Sequence, residues 1–491
     1  MTSSSFKKTI KSLKTCLLDH DPVTYGVCPI PAKDFKLFYG KNDTARQLDL
    51  HTASDAELEL LARACTAATF GMNQQDVYDE TYRKAGKMDT EEFSSKFDLE
   101  RSGILTRIRD DLLDHTNYGR PVEWELYKLN VYGIGGFFKA HKDTPRGANM
   151  FGSLVIVFPT KHSAGELKLR HGGKEWTFNS AKELAAATEP SIGYIAFFSD
   201  VEHEVAVVQS GYRVTLTYNL YFGETPVSPP EAMITNVVAN REHTFKAGLE
   251  QLLADPTFLP NGGLVGFGLQ HKYPVNAETK LCSVMECLKG NDALVRKVCQ
   301  QLSLPIKPKM LTHDYGYFGD KDEKMPVDSD GSENSGDENG QCDEGGADTT
   351  RDSEDDSMVG DSDGGEDDGE SDSENHGPYD PHYVEVLTDH VVDLSQYGGV
   401  ETSAGDELAQ EKGALILSYP DGTPRERWDA KKGKKVKYSV DIQWITESTS
   451  YNEVKTQYVA LGNEASLEYL YGTVCLVAEI GLVGKRTRSE G

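Results

Sequence analysis

Between Glu125 and Phe222 the chain breaks into short apolar runs punctuated by Gly, Pro and Asn, and this texture constrains the fold more than any other feature. The runs are Glu125–Tyr132, Gly152–Phe158, Glu166–Leu169, Glu175–Phe178, Ile192–Phe198, Glu204–Val208 and Tyr212–Phe222. Strands this short and this regularly spaced point to a sandwich or barrel. Helical signals precede them. Ser54 followed by Glu57 is a capping box that opens a helix through Leu58 and Leu61 towards Phe70. Ile104, Leu105, Ile108 and Leu112 share one face of a second helix. The fold class expected is α+β.

The second half reads differently. Pro-rich Thr225–Pro230 marks a linker or sharp boundary. After it come a helix around Phe245, Leu249, Leu252 and Leu253, a strand over Gly263–Leu269 and a helix over Leu294–Leu302. Val436, Tyr438, Val440, Ile442 and Trp444 alternate with Lys435, Lys437, Ser439, Asp441 and Gln443, which is the period of a half-buried strand. Val474–Ile480 closes the ordered part, and no internal repeat is visible. The expected organisation is a domain over 1–224 with its core at 124–222, and a mixed α/β domain split between 225–325 and 378–485. An acidic tract over 326–377 separates the two pieces.

That tract holds most of the charge. Asp328–Asn375 contains 20 Asp or Glu against one Arg, leaving −9 of the chain's −28 for the other 443 residues. Built from Asp, Glu, Ser and Gly, it cannot bury enough surface to offset the entropy of ordering, so a disordered, self-repelling segment is expected. Ser335, Ser353 and Ser371 each have an acid three positions on, a pattern that such composition produces almost automatically. The tract can bind a basic partner. One local candidate is the cluster Lys431, Lys432, Lys434, Lys435 and Lys437, otherwise an exposed hairpin face or a nuclear-import patch.

Net acidity argues against nucleic-acid binding, which needs Lys and Arg to displace phosphate counterions. No window approaches 18 continuous apolar residues, so no membrane span is expected. Phe6, Ile10, Leu13 and Leu17 interleave with Lys7, Lys8, Lys11 and Lys14 at helical spacing, which predicts a peripheral helix on the protein's own surface rather than a signal peptide. Eight Cys without a CxxC pair or framework spacing suggest reduced thiols in the cytoplasm or nucleus; Cys282, Cys287 and Cys299 lack metal-ligand spacing.

The chemistry concentrates in one constellation. Tyr132-Gly-Ile-Gly-Gly-Phe-Phe-Lys-Ala-His141-Lys-Asp143 is followed, 62 residues after His141, by Phe197-Phe-Ser-Asp-Val-Glu-His203. In extended backbone His141 and Asp143 lie on one face. A third imidazole from another strand completes a two-His-one-carboxylate face that holds Fe(II) and leaves three positions open. An HxD tripeptide alone is commonplace, but of the 13 His only His141 has an Asp two residues later. Arg213 follows ten residues after His203 and shares a strand face with Thr215. A guanidinium beside a hydroxyl in an otherwise apolar strand calls for an anion, and its fork suits a carboxylate.

Together these residues resemble the catalytic core of the 2-oxoglutarate- and Fe(II)-dependent dioxygenases, with most similarity to the prolyl 4-hydroxylase and hypoxia-sensing type. The Tyr-Gly-x-Gly-Gly stretch before HxD, Gly165-Glu-Leu167, Phe-Phe-Ser-Asp before His203 and the final Arg-x-Thr carry the resemblance, over about a fifth of the chain. It implies a double-stranded β-helix (jelly roll) with flanking helices, in which His141, Asp143 and His203 hold Fe(II). Arg213, supported by Thr215, then binds the distal carboxylate of 2-oxoglutarate, with Tyr132 and Asn130 as further cosubstrate contacts. The implied cofactors are Fe(II), 2-oxoglutarate and O2, with ascorbate as an accessory.

Departures from the pattern narrow the reading. A cosubstrate-contacting Tyr of several prolyl hydroxylases is replaced by Val157, shifting that duty towards Tyr132. Asn219 stands where a nucleic-acid-demethylating relative has a second Arg. The implied reaction is hydroxylation of a C–H bond, a prolyl residue of a protein being the leading substrate, with release of succinate and CO2. Two alternatives stand beside it: an oxygenase acting on a small molecule, and a catalytically inactive β-helix interaction protein. The C-terminal half has no second HxD, and no catalytic iron is expected there.

Overall fold

The structure is a computed structural model that describes residues 4–18, 20–40, 45–72, 75–113, 120–224, 236–276, 278–314, 384–391, 413–419, 423–429, 431–448 and 470–486. Thr225–Pro230, Asp328–Asn375 and the acidic-tract serines lie outside the described residues.

Two antiparallel sheets build the first half. The larger has seven strands in the order Val23–Pro29, Ser191–Phe198, Met150–Val157, Arg213–Phe222, Val122–Tyr132, Gly86–Asp89 and Thr66–Ala67. The smaller has five: Lys174–Phe178, Leu167–His171, Glu202–Val205, Phe137–His141 and Arg83–Lys84. On the larger sheet Leu129, Val131, Leu154, Ile156, Leu216 and Leu220 alternate with the residues that face the smaller sheet, and all are buried in one apolar core with Leu58, Leu61, Ile104, Ile108 and Leu112. Every run expected between Glu125 and Phe222 is a strand or overlaps one. The helix opened by Ser54 has its capping box intact, with the Ser54 side chain accepting from Glu57 N–H and the Glu57 carboxylate accepting from Ser54. It ends at Ala64 rather than running on towards Phe70, because Thr66–Ala67 joins the edge of the large sheet. The second helix spans Ile104–Leu112 and buries Ile104, Ile108 and Leu112.

The second half forms a six-stranded sheet in the order Leu415–Ile416, Val384–Thr388, Ile306–Asp314, Leu470–Ile480, Gly263–Val275 and Ile442–Thr446. Only the Gly263–Val275 and Ile442–Thr446 pairing is parallel among these. Helices Asn236–Ala254 and Gly290–Gln301 cover it. The alternating run at 435–444 is not one strand. Lys434–Lys437 pairs with Glu426–Asp429 as an exposed hairpin, and a second strand begins at Ile442. Ser439 is the reason: its hydroxyl is buried against Ser418 and the backbone of Arg425, which turns the chain between them. The N-terminal helix Ser4–Leu18, counted above with residues 1–224, inserts Leu13 and Leu17 into the second core beside Phe245 and Leu249. Its apolar face is thus covered by protein, and no described helix is long and apolar enough to cross a membrane. The seven described cysteines are free thiols.

Candidate active site

The smaller sheet brings the two histidines together. His141, the last residue of its strand, stands directly opposite His203 in the antiparallel register, with ring centroids 4.3 Å apart. Asp143 lies just past the strand end, its Oδ1 3.8 Å from His203 Nε2. The ligand atoms of His141, Asp143 and His203 all lie within 4.8 Å of one another, and all three residues are buried.

Local hydrogen bonds aim these atoms. His141 Nδ1 is bound to the Lys139 carbonyl at 2.8 Å and His203 Nδ1 to the Val201 carbonyl at 3.1 Å. With Nδ1–H donating to a carbonyl, each ring turns a bare Nε2 towards the cluster, the tautomer a metal ligand needs. Burial, reinforced by His203, holds His141 well below the usual histidine range, so the ring is neutral at ordinary pH. The Ser153 hydroxyl donates to Asp143 Oδ2 at 2.5 Å and fixes that carboxylate. Phe138 stacks on His141 at 3.6 Å, and Phe197 packs 4.6 Å from His203. These rings wall the site against water, a role Phe137 and Phe198 do not share: neither lines the cavity, and Phe198 faces His271 on the far side.

The larger sheet supplies the other wall. Tyr132 pairs with Arg213, Asn130 with Thr215 and Lys128 with Thr217, so alternate residues of both strands project into the cavity that holds His141, Asp143 and His203. Arg213 is 1% exposed, and its Nε and Nη2 have no partner among the described residues. A charged group left in this way costs several kcal/mol, roughly, unless an anion meets it. Burial pulls its pKa down, while Tyr132 and Glu166 oppose that shift. Two glycines make room. At Gly165, with φ +78°, a Cβ would lie 2.8 Å from Val208 Cγ2 and 3.2 Å from Arg213 Cδ. At Gly211, with φ +70°, it would lie 2.0 Å from the Lys161 carbonyl oxygen.

All seven residues expected from the sequence therefore line one cavity. Asn130 is already engaged at both ends of its amide: Oδ1 accepts from Arg83 Nη2 at 3.0 Å, and Nδ2 donates to Thr217 Oγ1 at 3.2 Å. Val157 pairs with Thr215 and is fully buried, while Val155 reaches the cavity. Sequence reading missed Ser153, Lys128 and Arg83. The first two could have been found from the period of their strands; Arg83 sits in a two-residue strand without a pattern.

Two imidazoles and a carboxylate form a donor set suited to Fe(II), and an unpaired guanidinium in the same cavity suits a dicarboxylate. The model of the 2OG-Fe(II) oxygenase superfamily matches residues 127–221, which contain all seven of these side chains. Residues 127–221 thus carry a 2OG-Fe(II) oxygenase domain. The chain is similar in structure to a Pseudomonas putida prolyl-4-hydroxylase, with 16% identity over 43% of this chain and 99% of that one and a TM-score of 0.25. A Trichoplax adhaerens prolyl hydroxylase, solved with a hypoxia inducible factor oxygen degradation domain peptide fragment, is 14% identical over 45% of this chain and 94% of that one, with a TM-score of 0.25. A Burkholderia pseudomallei oxidoreductase of the 2OG-Fe(II) oxygenase family gives 14%, 46%, 97% and 0.21 for the same four quantities. No curated protein sequence matches the chain. The superfamily uses Fe(II), 2-oxoglutarate and O2.

Proposed function

We propose that this dioxygenase hydroxylates a C–H bond of its substrate in the cavity between the two sheets, a prolyl residue of a protein being the leading candidate. His141, Asp143 and His203 hold the iron, and Arg213 with Thr215 receives the distal carboxylate of 2-oxoglutarate, with Tyr132 packed beside the guanidinium. The observation that carries this reading is the buried, unpartnered Arg213 in the same cavity as the histidine–aspartate cluster. Bound iron and 2-oxoglutarate supply an O2-driven oxidation that releases succinate and CO2. The chain's own residues orient and exclude. Lys139 and Val201 carbonyls set the two rings, Ser153 sets Asp143, and Phe138 and Phe197 keep water from the metal side of the cavity. An inactive interaction protein would have no reason to keep a complete donor set and a buried cation without a counter-ion.

Anaerobic titration with Fe(II) and 2-oxoglutarate tests the reading. A weak charge-transfer band is expected in the wild type and not in His141→Ala or Asp143→Ala; absence of the band from the wild type contradicts it. Trapping peptides against metabolites on Asp143→Ala then separates a protein substrate from a small molecule.

A further inference from the structure

The second half of the chain reaches the metal cluster through one carboxylate. Asp200 sits in the turn between the Ser191–Phe198 and Glu202–Val205 strands, three residues before His203. Backbone bonds shape that turn: Val201 N–H donates to the Phe198 carbonyl at 2.9 Å, and Ser199 N–H to the Phe151 carbonyl at 3.0 Å. Val201 also supplies the carbonyl that holds His203 Nδ1. Whatever anchors Asp200 therefore anchors its neighbour, and that neighbour aims the ring.

Most of the anchor comes from the second half. Lys289 Nζ lies 2.7 Å from Asp200 Oδ1 and donates to the Lys272 carbonyl at 2.9 Å, while the Lys272 N–H donates to Oδ2 at 3.0 Å. His271 Nδ1 lies 3.3 Å from both oxygens. Asp292 braces this group from behind. Its carboxylate accepts from the N–H groups of Gln270 and His271 and from the Tyr273 hydroxyl, which itself accepts from the Lys289 N–H. Asp200, His271, Lys289 and Asp292 are all buried, so water screens their charges poorly and removal of one partner strands the other. The His141–Asp143 segment borders the same junction. Lys142, between the two ligands, lines a cleft of about 330 Å³ with Asp200 and Glu202 from the first half and His271 and Lys272 from the second.

Resting on the dioxygenase reading above, we propose that the second half is a working part of the metal site: Lys289, with His271 and the Lys272 N–H, positions the ligand His203 by anchoring Asp200. Lys289 is thus a positioning residue that touches neither metal nor cosubstrate. The residues that contact the iron belong to the first half, and their alignment belongs to both.

The experiment uses the full chain, titrated anaerobically with Fe(II) and then with 2-oxoglutarate at saturating iron, with urea unfolding followed on each variant in parallel. Lys289→Met should raise the Fe(II) midpoint by about tenfold and displace the iron–2-oxoglutarate band, with the 2-oxoglutarate midpoint within about twofold of wild type. Lys289→Met combined with Asp200→Asn removes the stranded charge as well as the anchor. Its urea midpoint should return towards wild type, while its Fe(II) midpoint should stay raised by about tenfold. Recovery of both midpoints together assigns the pair to stability alone and overturns the proposal. An unchanged Fe(II) midpoint in folded Lys289→Met also overturns it, as does a rise confined to 2-oxoglutarate. If the single variant does not fold, the double variant decides by the same readings. Failure of the wild type to bind Fe(II) is the separate failure of the dioxygenase reading, and the proposal falls with it.

Discussion

The described residues include two His-Asp-His clusters, and they differ in the fourth group. His141, Asp143 and His203 form one; His171, Asp200 and His271 form the other, each with its ligand atoms within 4.8 Å. Asp200 is three residues from His203, yet the two clusters face apart: Phe197 packs on His203, while Phe198 packs on His271 at 4.6 Å. In the second cluster Lys289 Nζ sits 2.7 Å from Asp200 Oδ1, both side chains being almost fully buried. The Lys272 N–H donates to Oδ2 at 3.0 Å, and His271 Nδ1 lies 3.3 Å from both oxygens. The carboxylate is already satisfied and neutralised by the protein. The first cluster has two bare Nε2 atoms aimed inward and a hydroxyl on its carboxylate. Two histidines and an aspartate suit a metal in one place and form a structural ion pair in the other, because a lysine has taken the cation's position.

The largest effect should come from removing that lysine. Lys289→Met strands a buried carboxylate, and a loss of about 3–5 kcal/mol is expected in urea unfolding. A loss under about 1 kcal/mol would mean that Asp200 is neutral or solvated and that the contrast fails. Arg213→Met removes the cation proposed for the distal carboxylate, so the 2-oxoglutarate midpoint should rise roughly tenfold to a hundredfold while Fe(II) binding is retained. Unchanged 2-oxoglutarate affinity would remove Arg213 from the site. Ser153→Ala should weaken Fe(II) binding by about tenfold, through the orientation of Asp143 rather than through charge; an unchanged Fe(II) midpoint would show that Asp143 needs no such support.

Acid sharpens the comparison further. Burial holds His271 down to about 3, from an ordinary 6.5. Burial alone would raise Asp200, but Lys289 and the two histidines outweigh it and hold that carboxyl well below the usual range. For both groups the unfolded chain binds protons that the folded chain refuses, so stability is present at neutral pH and lost on acidification. His271 contributes between about 6.5 and 3, and Asp200 only below the ordinary carboxylate range. Urea midpoints should fall from pH 7 to pH 5, with a shallower slope in His271→Gln; equal slopes would contradict the assignment.

The first cluster was legible in the sequence because its members are local or periodic. His141 and Asp143 are two apart, and Arg213 and Thr215 alternate on one strand, so spacing alone puts each pair on a face. Seven strand-like runs between Glu125 and Phe222 followed from their short apolar texture and glycine punctuation, with ends shifted by a few residues, whereas the short strand His162–Ala164 was not among them. The second cluster was not legible. Asp200 stands in the Phe-Phe-Ser-Asp stretch, but its partners His271 and Lys289 are 71 and 89 residues away, joined to it only by tertiary packing. Arg83 is hidden likewise, since its place against Phe138 depends on a short edge strand. The misread run at 435–444 shows the converse: perfect alternation did not make one strand, because Ser439 found buried polar partners instead.

The most direct test of the contrast is metal stoichiometry. Anaerobic Fe(II) binding to the full-length wild type, followed by calorimetry, should give one equivalent per chain. His171→Ala should keep that equivalent and Asp143→Ala should lose it. Two equivalents in the wild type, or a single one that disappears with His171 and survives without Asp143, would contradict the assignment of the metal to the first cluster.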